Sequence, residues 1–288
     1  MPKKLAVFLF LLGLVTALTP GAVCAADAIS TIDYPDAVLT IANGINSQGD
    51  IVGWYQDTGG KTHGFFLGIG GFVSIDYPQA TYTDTWAINS AGDMAGGYID
   101  SKNIAHGYVL RNGTFTPIDV PGATFTAAFG INSEGDIVGH YGVPPTGKMN
   151  GFLLRNGTFE TYNFAPPDTN FMTCGMGINP EGQIVGHYAD TEGIHGFLLK
   201  DGIRSSINFP NANTQAYGVD PNGRIVGFFQ DKATLRTHGF VLDRGDDVIQ
   251  VDVPGALSTA VRRSNARGDL VGSYQDATGK VHGWLIQH

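Results

Sequence analysis

Five histidines in this chain, His63, His106, His195, His238 and His282, each follow an aspartate by five to seven residues: Asp57, Asp100, Asp190, Asp231 and Asp276. Histidine and aspartate at such spacing can ligate a metal or share a hydrogen bond, and the two uses make different demands. One metal ion needs several ligands at roughly 2 Å. These pairs recur once per copy of a sequence repeat, which keeps them apart, so each is read as a structural staple: an Asp to His hydrogen bond across one loop. No metal site is expected. The third copy supports the pairing, because Val143 stands at the acid's place and Asn150 at the histidine's, so both residue types are lost together.

Repetition also argues against catalysis, which needs an asymmetric site. Attention therefore goes to places where one copy departs from the rest. In five copies a small residue precedes an Ile or Val: Gly44, Ala87, Gly130, Gly177 and Gly218; the sixth copy has Arg263 there. The place before it holds Asn43, Trp86, Phe129, Met176, Tyr217 and Arg262, a variety that core packing does not require. Two adjacent arginines in an acidic chain suit a carboxylate or phosphate, which guanidinium binds bidentately. The alternative is an arginine pair satisfied by acidic neighbours.

Tyr82, Phe125 and Phe171 fall in loops expected on one face, where exposed rings suit stacking on a sugar or peptide or else pack between repeats. The candidate ligand set is Arg262, Arg263, Trp86, Tyr217, Asn43, Tyr82 and Phe125. Cys174 reads as a small buried hydrophobe. No catalytic residue and no cofactor is assigned. The chain has no G-x-S-x-G elbow, no H-E-x-x-H and no phosphate loop, and Asp-bearing loops such as that from Gln56 lack the alternating acids of a calcium site.

Positioning these residues falls to a repeat. "GINSQGDIVGWY" from Gly44 returns from Ala87, Gly130, Gly177, Gly218 and Arg263, at intervals of 43, 43, 47, 41 and 45 residues. "HGFFL" from His63 and an "IDYP" type around Asp33, Asp76, Asp119, Asn163, Asn208 and Asp252 recur with it, six times each. Each unit reads as four short strands and no helix: A ending in Ile-Asn, B as "DIVGxY", C as "HGFLL" and D as "FxxIDxP". Asn132 caps a tight A–B turn, and Asn-Gly at Asn112 and Asn156 makes two-residue C–D hairpins. The Asn-Gly-Thr there also matches a glycosylation acceptor, which counts only in a eukaryotic secretory route.

Four strands in about 44 residues make a propeller blade. The chain opens on a lone D-type strand, "STIDYPDA" from Ser30, and closes on a lone A, B and C set. A ring lets those fragments complete one blade and protects edges that invite aggregation. The expected fold is an all-β, six-bladed β-propeller closed by its N-terminal strand, forming one domain over 27–288. The repeated "IN..GDIVG" followed by "HGF" resembles the HAF repeat of predicted extracellular bacterial proteins, with Gly here in the middle of the His-Ala-Phe triplet. The resemblance covers Ile29 to His288 and implies an extracytoplasmic propeller. It brings no activity.

Residues 1–26 read as a signal peptide, with Lys3 and Lys4 before an apolar Leu5 to Leu18 run and cleavage after Ala25 or Ala26. That run is short for a membrane span, which takes about 20 residues; Val23 and Gly21 before Cys24 depart from the lipoprotein pattern. Loss of Lys3 and Lys4 leaves 15 basic against 26 acidic residues, net −11, a field that repels nucleic acid and anionic lipid. Only Cys174 remains, so no intrachain disulfide forms. At 41 of 288 residues, glycine is about twice its usual share, which suits many tight turns. The expectation is a monomeric, secreted or periplasmic binding or scaffolding propeller for a small molecule, glycan or protein; the alternative is a hydrolase or lyase acting on a carbohydrate or lactone at the axial mouth.

Overall fold

The computed structural model describes residues 29–166, 169–244 and 247–288, so the signal-peptide reading of 1–26 lies outside the described residues. The chain folds as a six-bladed β-propeller of four-stranded antiparallel sheets. Blade 1 spans 39–75, blade 2 82–118, blade 3 126–162, blade 4 173–207, and blade 5 212–251, each in the order A-B-C-D. Blade 6 takes three strands from 258–286 and its fourth, Ser30–Ile32, from the other end of the chain. Thr31 pairs with Trp284 and Ile32 with Gly283, so the first strand seals the ring. Among the described residues there is no helix, hence none long and apolar enough to cross a membrane.

Two sequence signatures prove to be halves of one packing unit. The aromatic residue of each "HGF" type, namely Phe65, Tyr108, Phe152, Phe197, Phe240 and Trp284, is fully buried. Each ring lies over the glycine of the strand-B "IVG" type. A Cβ on Gly53 would sit 2.7 Å from the Phe65 ring and 1.9 Å from the Ile41 carbonyl oxygen, and Gly139 meets Phe152 and Ala127 in the same way. No side chain fits there, which is why glycine stands in the middle of a strand that otherwise disfavours it.

The turns follow the residues that make them. Asn112 and Gly113 have φ of 48° and 75°, and Asn156 and Gly157 have 49° and 75°, the left-handed pair that a two-residue hairpin requires. The Asn46 side-chain oxygen accepts from the backbone N–H of Gln48 and Asp50, closing the A–B turn of blade 1. Blades are joined by a threonine near the start of strand A. The Thr40 hydroxyl accepts from the Tyr34 N–H at 3.0 Å, and Thr83, Thr126, Thr173, Thr214 and Thr259 do the same for their own connections.

Candidate ligand-binding site

Three layers stack along the propeller axis. The narrow layer, at the A–B turns, is a belt of amides. Asn89 Nδ2 donates to the Asn132 carbonyl at 3.0 Å, Asn132 to Asn179 at 3.2 Å, Asn179 to Asp220 at 3.3 Å, and Asn265 to Asn46 at 3.1 Å across the seam of the ring. The turn caps therefore also lace neighbouring blades together. The two other joints are bridged two residues further on, by Gln48 to the Ser90 carbonyl and Asn222 to that of Ala266. Asp220 has no amide to donate; its Oδ2 is buried without a partner, and burial raises its pKa.

Arg263 forms the middle layer. Its guanidinium crosses the axis and donates to the carbonyls of Phe129 at 2.7 Å, Met176 at 2.6 Å, Arg262 at 3.0 Å and Tyr217. Those oxygens come from blades 3, 4, 5 and 6. Burial and the neighbouring Arg262 lower its pKa to about 10, so it remains charged at neutral pH. The expectation that Arg263 meets a ligand is corrected: its terminal nitrogens are spent on the protein's own backbone, and it plugs the channel. The acid-paired alternative is corrected with it, since carbonyls and not carboxylates satisfy this cation. The small residues at the equivalent place also gain a reason. A Cβ on Gly130 would lie 3.1 Å from the Cα of Gly177, so inner strands of adjacent blades touch there.

The third layer is the candidate site. Every strand A carries a β-bulge, between Ala42 and Gly44 in blade 1 and at the same place in the other five. A bulge re-aims the extra residue, and the six residues so placed are Asn43, Trp86, Phe129, Met176, Tyr217 and Arg262. Phe129, Met176 and Tyr217 pack with Cys174, Trp86, Met149, Met172 and Phe228 in one cluster. The Arg262 guanidinium carbon lies 4.4 Å from the Tyr217 ring centre, 5.5 Å from Phe228 and 5.9 Å from Trp86. Its Nε is buried without a hydrogen-bond partner. Asn43 is fully buried and donates to the Thr85 carbonyl at 3.0 Å, completing the ring of six on the blade 1 side.

Four ionisable groups that sequence reasoning left aside, or read as apolar, stand on strands A and B beside this ring of six. His140 and His187 hold buried, unpaired Nδ1 atoms, and desolvation lowers their pKa values to about 4 and about 3. Burial pushes the Cys174 thiol up to about 12, which leaves it an inert apolar group at neutral pH. Asp84 is buried, accepts from Trp86 Nε1 at 2.8 Å, the Tyr82 hydroxyl at 3.0 Å and the Gly97 N–H at 2.7 Å, and burial raises its pKa to about 6. The signal that marks them is variation between copies: they lie in two facing columns that read Ile41, Asp84, Ala127, Cys174, Gln215 and Ala260 on strand A and Trp54, Gly97, His140, His187, Phe228 and Ser273 on strand B. Phe125 stands at the rim, its ring 5.9 Å from His140.

The staple residues lie away from the axis. His63 reaches Asp57 at 3.3 Å, His195 reaches Asp190 at 2.9 Å, His282 reaches Asp276 at 3.3 Å, and His106 approaches Asp100 to 3.6 Å. Thr278, then His282 and backbone N–H groups, hold the Asp276 carboxyl at about 2. Each histidine has a second partner that the spacing did not suggest, the acid or amide of the "IDYP" type: His63 to Asp76 at 2.7 Å, His106 to Asp119, His195 to Asn208, His238 to Asp252 and His282 to Asp33. Blade 5 is the correction, because Asp231 bonds the N–H groups of Ala233 and Thr234 in its own longer loop while His238 bonds Asp252. Among the described residues no group of three or more His, Cys, Asp or Glu side chains is placed to hold a metal.

Solved structures of the same architecture include Aleuria aurantia lectin in complex with Fucα1-6GlcNAc, 13% identical with TM-score 0.53 over 90% of this chain and 97% of that one. AofleA from Arthrobotrys oligospora is 13% identical with TM-score 0.59 over 91% and 87% of the two chains. A putative TolB from Agrobacterium tumefaciens is 14% identical with TM-score 0.58 over 87% and 90%. At these identities the shared property is the six-bladed fold. No family model matches the chain, and no curated protein matches it in sequence.

Proposed function

We propose that this chain is an exported binding propeller of the HAF-repeat kind whose axial chamber takes a small ligand carrying an anionic group. One observation carries the reading: the Arg262 guanidinium stands among aromatic rings with no hydrogen bond or ion pair to any described residue, while both terminal nitrogens of the arginine beside it are engaged. A guanidinium offers five donors in a planar fork, and a carboxylate or phosphate fits it. The plug closes the channel behind the site, so the ligand enters from the face of the B–C and D–A loops. The lectin neighbours support a binding role at the level of fold analogy.

The test is calorimetric titration of the mature protein at low salt with uronic acids, phosphosugars and short acidic peptides, neutral sugars serving as controls. Low salt matters because accessible charge is screened. Anionic ligands bind, and Arg262→Gln weakens them about tenfold or more without loss of fold. Equal affinities in parent and variant overturn the assignment. Ligand consumed during the titration points instead to the hydrolase or lyase reading. Export is tested separately by fractionating cells that express the full chain, with a cytoplasmic location as the contrary result.

A further inference from the structure

Between blades 2 and 3, beside the axial ring, lies a pocket of about 220 Å³ walled by Tyr82, Asp84, Trp86, Tyr98 and Phe129 among others. One residue accounts for the space. At the equivalent place on strand B, blades 1, 3, 4 and 5 carry Trp54, His140, His187 and Phe228, blade 6 carries the small Ser273, and blade 2 carries Gly97. Gly97 faces Asp84 in the strand register, where the other blades have Ile41, Ala127, Cys174, Gln215 and Ala260. Blade 2 alone thus combines a missing side chain with a buried acid.

That acid accepts three hydrogen bonds, from a phenol, an indole and a backbone amide, and has no cationic partner among the described residues. A buried charge without a counterion is costly. Around it stand aromatic faces, which attract cations. A small ammonium group answers the charge, the rings and the size of the pocket together. Trp86 joins this pocket to the axial site, with its ring 5.9 Å from the Arg262 guanidinium carbon and its indole N–H on Asp84.

We infer that the pocket beside Asp84 takes the ammonium end of a ligand whose anionic end is held by Arg262, so that the chamber recognises a zwitterion of the amino-acid or short-peptide class. This rests on the anion site proposed above and adds a second, opposite charge to it. The probes are straight-chain ω-amino acids of graded length, each titrated beside the carboxylic acid of the same length. At one length the amino acid binds about tenfold or more tightly than its matched acid, and Asp84→Asn or Gly97→Phe, the residue blade 5 carries there, erases that gain.

The matched pairs on the parent protein decide the matter even where a variant fails to fold. Amino acids that bind no better than their matched acids at every length overturn the zwitterion and leave the anion site standing. Failure of both series overturns both readings. A gain that persists in folded Asp84→Asn and Gly97→Phe proteins places the ammonium elsewhere and also overturns the inference.

Discussion

The shell of this propeller and its axis are built from the same six strands, but by opposite rules. In the shell every blade repeats the same solution, an aromatic ring over a glycine and a threonine tying the connection, and blades 1, 2, 4 and 6 add a histidine between two acids or between an acid and an amide. At the axis the six bulge residues are all different, and two columns beside them hold Asp84 in blade 2, His140 in blade 3, and the facing pair Cys174 and His187 in blade 4. Shared positions solve a problem that all blades have. Unshared ones cannot, so they answer to something with no sixfold symmetry, either a ligand or, for Arg263, the need to close an asymmetric channel.

The largest effect belongs to the shell's closure. Deleting 29–37 removes the fourth strand of blade 6 and the Asp33 partner of His282. The exposed edge of strand C should drive aggregation or a fall in Tm of more than ten degrees, roughly the consequence of several kcal/mol in a domain of this size. Size-exclusion chromatography and calorimetry check it, and a stable monomer would defeat the ring.

Arg263→Gly tests whether the axis can be made like the shell by restoring the residue the other blades favour. It strips four backbone carbonyls of their shared donor, and about 3 kcal/mol of stability should be lost by denaturant unfolding. A silent substitution would show the plug to be dispensable.

The chamber also sets the response to mild acid. His140 and His187, lowered to about 4 and about 3, contribute stability that is fully present above the unfolded value near 6.5 and is lost as pH falls. Asp84, raised to about 6, acts with the opposite sign: its native form binds more protons than the unfolded chain between 3.8 and 6, so it gains as pH falls. Two imidazoles outweigh one carboxyl. Tm should drop between pH 7 and pH 5, and His140→Phe with His187→Phe should remove or reverse that slope.

The smallest effect sharpens the comparison from the other side. Asp220→Asn supplies the amide that the belt lacks at the joint between blades 5 and 6 and removes a buried, unpaired oxygen. The gain should be about 1 kcal/mol, readable as a higher denaturation midpoint; a loss would mean that the belt contributes little.

The sequence alone determined the fold, because the blade is a local object. Asn-Gly hairpins, capped A–B turns, and the pairing of "IVG" with "HGF" all act within about forty residues, and the lone D strand at one end with the lone A, B and C set at the other specified closure. It also picked out the variable column of the axis, from Asn43 to Arg262, by comparing copies. What it could not settle is where a side chain points once six strands converge. The β-bulge is set by two strands in register, and only that bulge sends Arg262 among aromatic rings while its neighbour crosses to carbonyls of blades 3, 4 and 5. The same limit hid Asp76 and its equivalents from the histidines, which they meet through adjacent strands and not through a loop. Contacts made across blades are decided by the ring as a whole, since the distance between inner strands depends on all six blades at once.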